Sequence, residues 1–262
     1  MSTTSHLFTF LHKIALITDP DKSFLSFGPK IIPLNTMINI QKGGTIFYLL
    51  ILMWYFNNYS LGAYVYLGLH GTYGIVWLIK DFTLPDKTFR KNVSLPVALL
   101  IAVVLILYWS IGYIMVSGIS NQQQPTPLRI FFAFFIYSIG LMLMICTDIQ
   151  KNLTLTYKKG LINNYFLSIN RNTNYFGEML LYYSFALITN HWFAYALLLL
   201  TWVSLFSCRI ILKEYSLMQK EGWDKYKSNT YILLFKFTSN HFLNVCIYII
   251  IFICIMLISI YA

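Results

Sequence analysis

The densest polar run in the chain is Asn170-Arg171-Asn172-Thr173-Asn174-Tyr175-Phe176-Gly177-Glu178. If this stretch is helical, Arg171, Asn174 and Glu178 share a face, with Tyr175 beside them. The run stands where the chain passes from polar to apolar sequence. A carboxylate placed there needs a partner, and Arg171 is the nearest cation in sequence. The spacing fits either a helix start with an interfacial ion pair or the mouth of a binding site. Upstream, Thr147-Asp148-Ile149-Gln150-Lys151 closes an apolar run, with Asp148 and Lys151 one turn apart, the spacing of a solvated helix-end pair. A third group lies between Leu69 and Asp81. There His70, Tyr73, Trp77 and Asp81 fall on one helical stripe, next to a narrow stripe of Gly68, Gly71 and Gly74. A histidine inside an apolar run must face protein or a wet cavity, so this stripe is either a packed helix interface with one satisfied histidine or one wall of a polar cavity.

The elements that must position these groups are membrane helices. Hydrophobic residues make up 58% of the 262, charged residues 11%, and mean hydropathy is +0.63. A soluble domain carries about 25% charged residues, so lipid is the solvent for most of this surface. Apolar runs approaching the roughly 20 residues that cross a bilayer are Gly44–Phe56, Leu61–Ile79, Leu95–Val116, Leu128–Thr147, Phe176–Thr189, Trp192–Leu212 and His241–Tyr261. The first is short and is expected to begin earlier; the fifth and sixth form a hairpin through Asn190-His191. Seven spans put every Lys and Arg except Arg129 on one side, together with all nine acidic residues. Before the first span that side holds Lys13, Lys22, Lys30 and Lys42. This asymmetry predicts an all-α, polytopic bundle with the N-terminus on the basic side. It also accounts for the net charge of +10 without nucleic acid. Residues 1–43 read as a basic-side segment and 44–262 as the transmembrane domain. The two longer basic connections, Asp148 to Tyr175 and Leu212 to Asn240, place any chemistry at the basic face. Trp223 and Tyr226 read as interface anchors. The semi-apolar run Leu7 to Leu16 is broken by His12 and Lys13 and lacks a small-residue cleavage site, so no signal peptide or cleaved leader is expected. Cys146, Cys208, Cys246 and Cys254 lie in apolar stretches without metal-ligand spacing and read as small buried hydrophobes. No metal site is expected.

Arg171 to Glu178 resembles the R-[HN]-P-N-Y-x-G-E signature of the steroid 5-alpha-reductase C-terminal and isoprenylcysteine carboxyl methyltransferase superfamily. The apolar hairpin, Glu214 and Gly222-Trp223-Asp224-Lys225-Tyr226 follow in that superfamily's order. His70-Gly71-Thr72-Tyr73-Gly74 through Trp77, Lys80-Asp81 and Pro85-Asp86 resembles a smaller subgroup within it. The resemblance covers about 61–235. It implies a helix bundle whose cofactor cavity opens to the basic side. Reductase members use NADPH to reduce a carbon–carbon double bond in a sterol or fatty acyl lipid. On that pattern Asp148, Lys151, Arg171, Asn174 and Tyr175 would hold the nucleotide, its phosphates pairing with the cations. Glu178, with Tyr73 or His70, would orient or protonate the substrate.

Two departures stand out. Thr173 replaces the signature proline, which is expected to loosen the turn, and Ser228 to Phe235 lacks the usual closing proline. They leave two alternatives beside the reductase. One is a non-catalytic accessory subunit of a larger membrane complex with protein partners, such as a respiratory complex. The other is a methyltransferase acting on a lipid or prenylcysteine with S-adenosylmethionine, a cofactor that has no phosphates to engage the cations. The membrane is expected to be the endoplasmic reticulum or the mitochondrial inner membrane.

Overall fold

A computed structural model describes residues 13, 15, 23, 25–86, 89–121 and 123–261. Lys22, Lys87, Gln122 and most of the Leu7 to Leu16 run lie outside the described residues. The chain is built from helices α1 (Leu34–Tyr55), α2 (Leu61–Thr83), α3 (Leu95–Val116), α4 (Pro127–Tyr157), α5 (Phe166–Ile169), α6 (Thr173–Thr189), α7 (Trp192–Thr201), α8 (Ser207–Met218), α9 (Trp223–Asn229) and α10 (His241–Tyr261). Among the described residues, α1, α3, α4 and the continuous run Trp192–Met218 are long and apolar enough to cross a membrane. They make this an integral membrane protein. The remaining apolar runs of the sequence form α2, α6 and α10.

Local chemistry sets the helix ends. Ser60 accepts a hydrogen bond from the Ala63 N–H at the start of α2, and Thr126 accepts one from the Arg129 N–H at the start of α4, where Pro127 occupies the first helical position. Asn190 adopts the left-handed conformation that ends α6, and the His191 ring accepts the Phe193 N–H to open α7. The expected hairpin therefore forms with the minimal turn its sequence allows. A π-helical turn, Trp202–Phe206, joins α7 to α8. Such turns re-aim the residues that follow them, and here those residues include Arg209, Lys213 and Glu214.

Not every element is helical. Strands β1 (Lys30–Pro33) and β2 (Asn92–Ser94) pair antiparallel, with an irregularity between Lys30 and Ile32. Each strand runs directly into a long helix, β1 into α1 and β2 into α3. The same region satisfies two of the orphan donors at the start of α1: the Leu34 and Asn35 N–H groups bond to the Lys91 and Phe89 carbonyls.

Two close crossings bring the polar groups together. A Cβ on Gly74 would lie 2.1 Å from the Lys42 carbonyl oxygen, so α1 and α2 touch backbone to side-chain position at that level. On α4 and α6, a Cβ on Gly140 would lie 2.6 Å from the Gly177 carbonyl, and one on Gly177 would lie 2.6 Å from the Gly140 carbonyl and from the Met144 nitrogen. Of the expected glycine stripe, Gly71 faces Ile46 and Gly74 faces α1, whereas Gly68 meets nothing within 4 Å.

Several boundaries move. Helix α1 begins ten residues before Gly44, which takes Lys42 out of the basic-side segment and into the helix, where it is 3% exposed. Helix α4 continues ten residues past Thr147 to Tyr157. Asp148 and Lys151 therefore lie within a helix rather than at its end.

Candidate functional site

A cavity of about 400 Å³ opens where α4, α6, α8 and α9 meet. Among the described residues, its wall carries Lys151, Arg171, Arg209, Lys213 and Lys220 and no carboxylate, with Asn174, Tyr175 and Tyr226 among them. A second cavity of about 570 Å³ adjoins it across Lys151 and Leu155 and is lined by Lys80, Asp86, Asp148 and Lys159. Four of the five residues expected to hold a nucleotide are thus on the first wall. The fifth, Asp148, faces the second cavity.

The first wall is held from behind. The Arg171 Nε donates to Glu214 Oε2 at 2.8 Å, its Nη1 donates to the Thr230 carbonyl, and its guanidinium lies 5.4 Å from the Trp223 ring. Asn172 donates to the Ile232 carbonyl at 2.7 Å. Thr173 is fully buried, and its hydroxyl donates to the Phe166 and Asn170 carbonyls at 2.8 and 3.0 Å. The turn that was expected to loosen without proline is instead tied by that hydroxyl. Trp223 and Tyr226 are buried, and the Tyr226 hydroxyl donates to the Leu167 carbonyl at 2.6 Å. They brace the wall rather than anchor the chain at an interface.

Expected pairings are redistributed. Arg171 does not pair with Glu178, because α6 begins only at Thr173 and Arg171 precedes it. Asp148 pairs with Lys80 and accepts from the Asn174 amide at 3.2 Å. Lys151 pairs with Asp86 at 3.2 Å. The Asn174 side-chain Oδ1 accepts from Lys213 at 3.4 Å, and the Tyr175 ring lies edge-on to Phe206 at 5.7 Å. Outside the apolar helices, burial and then the Lys151 charge hold the Lys220 amine below the ordinary lysine range. Burial raises the Tyr226 hydroxyl, against the opposing pull of Arg171.

Glu178 lies one turn beyond Asn174 along α6, about 6 Å deeper by helix rise, and accepts from the Tyr73 hydroxyl at 3.0 Å. Tyr73 is fully buried. The His70 ring stacks on Phe185 at 4.5 Å; its Nδ1 meets the Tyr66 hydroxyl at 3.0 Å and its Nε2 is buried without a partner. Like Tyr73 and Glu178 it is on the wall of neither cavity, and its ring contacts are those of a packed helix interface. The α2 stripe continues through Trp77, which donates to Asn39, and Asp81, which accepts from Asn35, Asn39 and Arg90.

The residue that sequence reasoning missed is Lys42. Its amine donates to the Tyr182 hydroxyl at 2.5 Å and lies 4.3 Å from the Tyr73 ring centroid. A signal was present: Asn35, Asn39 and Lys42 repeat at helical spacing on one face of α1. Arg209, Lys213 and Lys220 belong to no motif in the sequence and join the wall only through the fold.

Fold and site together define a helical integral membrane protein with a cation-lined cavity at one end of its bundle. The chain belongs to the family described as Protein of unknown function (DUF1295), whose profile matches residues 86–230. That family is associated with steroid 5-alpha-reductase-like proteins. The match takes in Asp148 to Glu178, Glu214 and Tyr226, and leaves His70 and Tyr73 outside it. No curated protein and no solved structure matches the chain.

Proposed function

We propose that this protein is a membrane-embedded reductase of the steroid 5-alpha-reductase type. In this reading it uses NADPH to reduce a carbon–carbon double bond in an apolar lipid, of sterol or fatty acyl type. The observation that carries the reading is the cavity wall of five cations, with no carboxylate on it among the described residues. NADPH brings phosphates, and Lys and Arg are the side chains that engage them; the donor set fits the group. S-adenosylmethionine carries no phosphate, and its one carboxylate can occupy only part of a five-cation wall. An accessory subunit needs no cavity of this kind.

Lys151, Lys213, Lys220 and Arg209 would bind phosphate oxygens, with Arg171 fixed by Glu214 as the rigid part of the wall. Asn174 and Tyr175 would contact the sugar or base. Asp148 would act from the adjoining cavity, orienting Lys80 and Asn174. Bound NADPH supplies hydride. Tyr73 would hold, at its Oη, the proton that the substrate takes up, and Glu178 would orient that hydroxyl. His70 would support Tyr73 from the same helix through packing. The reading includes seven spans with the N-terminus on the cationic side, and residence in the endoplasmic reticulum or mitochondrial inner membrane.

Extraction of the purified protein followed by mass spectrometry tests the cofactor, with NADP(H) the expected ligand. S-adenosylmethionine would indicate the methyltransferase instead. An empty site together with co-migration in a large native complex would indicate the accessory subunit. If NADPH binds, Glu178→Gln lowers turnover far more than nucleotide affinity. Equal loss of both would assign Glu178 a structural role only.

A further inference from the structure

Lys151 stands on the ridge between the two cavities and lines both. On one side it joins the cations of the first wall. On the other it meets Asp86, whose Oδ2 accepts from the Lys151 Nζ at 3.2 Å. Crowded cations repel one another, and carboxylates set behind or beside this cluster offset that repulsion: Glu214 on Arg171 and Asp86 on Lys151.

The two pairs differ in what can reach them. The side chains of Arg171 and Glu214 are 8% and 5% exposed, those of Lys151 and Asp86 43% and 30%. Opening a buried pair strands a charge away from water and is strongly disfavoured. An exposed pair is worth little more than the hydration of its two ends, so a better partner can open it. The Lys80–Asp148 pair, with side chains 12% and 16% exposed, belongs with the closed kind, and Asp148 is held further by the Asn174 amide. Among the described residues on these two walls, Lys151–Asp86 is therefore the exchangeable ion pair. Asp86 itself is held in place. It follows Pro85 just beyond the end of α2, and its backbone carbonyl accepts from the Phe89 N–H at 3.0 Å. The Phe89 carbonyl in turn accepts the Asn35 N–H at the start of α1. A carboxylate on such a backbone leaves Lys151 by turning its side chain and stays nearby, so it competes at high effective concentration.

We propose that Asp86 occupies the phosphate seat of Lys151 as an internal counter-ion, and that a ligand fills the cationic cavity by displacing it. The inference rests on the phosphate-binding part of the proposed function and adds to it a residue that governs which anions enter. A ligand carboxylate that takes Lys151 from Asp86 exchanges like for like, with no gain in charge. A phosphate group brings more negative charge and three acceptor oxygens, so it can hold Lys151 and reach a second cation as well. The displaced Asp86 carboxylate remains on the second wall, which it shares with Lys80 and Lys159.

Calorimetry of pyrophosphate binding to the full chain in detergent tests this without NADPH or substrate. Asp86→Asn should bind pyrophosphate about 2–5-fold more tightly, the factor to which the strength of an exposed pair converts. A residue that only lines a binding wall would lose affinity or change nothing. Asp86→Ala should match Asp86→Asn, and Asp86→Glu, which keeps a carboxylate, should bind like the natural protein. The unfolding midpoint should move little in all three. In a Lys151→Gln background, Asp86→Asn should be silent, because the competition has lost its object. A gain that persists there is a general effect of net charge and overturns the proposal. Unchanged or weakened binding by both Asp86→Asn and Asp86→Ala also overturns it, while leaving the phosphate-binding reading intact. Pyrophosphate bound by none of these proteins overturns both. If the variants behave as expected but extraction yields no NADP(H), the counter-ion role of Asp86 stands and the reductase reading falls.

Discussion

Arg171 is held on three sides: a carboxylate, a backbone carbonyl and an indole face. The Glu214 side of that arrangement is 3% exposed, so neither charge can be rehydrated if its partner is lost. Glu214→Gln therefore leaves a buried guanidinium poorly compensated and is expected to cost about 3–5 kcal/mol, read as a lowered unfolding midpoint in detergent. Lys220 behaves differently. Its amine is held below the ordinary lysine range by burial and by Lys151, so it loses its charge at a lower pH than exposed lysines do. Anion binding in the cavity should be strongest with Lys220 protonated and weaken as pH rises, ahead of the general titration of lysine. Titrating nucleotide affinity against pH checks this, and Lys220→Gln should remove that early limb.

At the scale of elements, two glycine contacts decide whether the candidate residues meet. Gly74 sets the distance between α1 and α2, and hence the seat of Lys42 beside Tyr73. Gly140 and Gly177 set the distance between α4 and α6, and hence Asp148 beside Asn174. In each case the opposing atom is backbone, which cannot move aside as a flexible side-chain tip can. Gly74→Ala and Gly177→Ala should each destabilise the fold by about 1–3 kcal/mol or more, whereas Gly68→Ala, with open space around it, should be close to neutral. Thermal unfolding of the three variants in one detergent distinguishes them. The π-helical turn between α7 and α8 acts at the same scale. It interrupts a continuous helix just before Arg209 and Lys213, the cations that this run contributes to the wall.

For the whole molecule, the asymmetry of charge predicts which ends of the helices share a side. A single cysteine at Gln124, with the four native cysteines replaced, should label with an impermeant reagent only from the side opposite the cationic cavity. A cysteine at Lys158 should label only from the cavity side. Labelling of both positions from the same side would reject seven crossings. Cys146, Cys208 and Cys246 are half-buried and Cys254 is exposed, so the cysteines are less enclosed than their apolar context suggests.

Hydropathy and spacing alone determined that the chain is a helical membrane protein and where the α6–α7 hairpin turns, and the signature-like run Arg171 to Glu178 singled out the stretch from which Arg171, Asn174 and Tyr175 line the cationic cavity. These are local properties. An apolar run, a turn residue or a signature is complete within a short stretch of sequence. The partners were decided by the tertiary structure. Arg171 found Glu214, Asp148 found Lys80 and Glu178 found Tyr73, each across dozens of residues. An earlier start for α1 was expected, but its extent to Leu34 was hidden because Asn35, Asn39 and Lys42 read as polar loop until α2 offered them Asp81, Trp77 and Tyr73. A buried lysine becomes tolerable only when rings and a hydroxyl from other helices surround it, and sequence position does not record that enclosure.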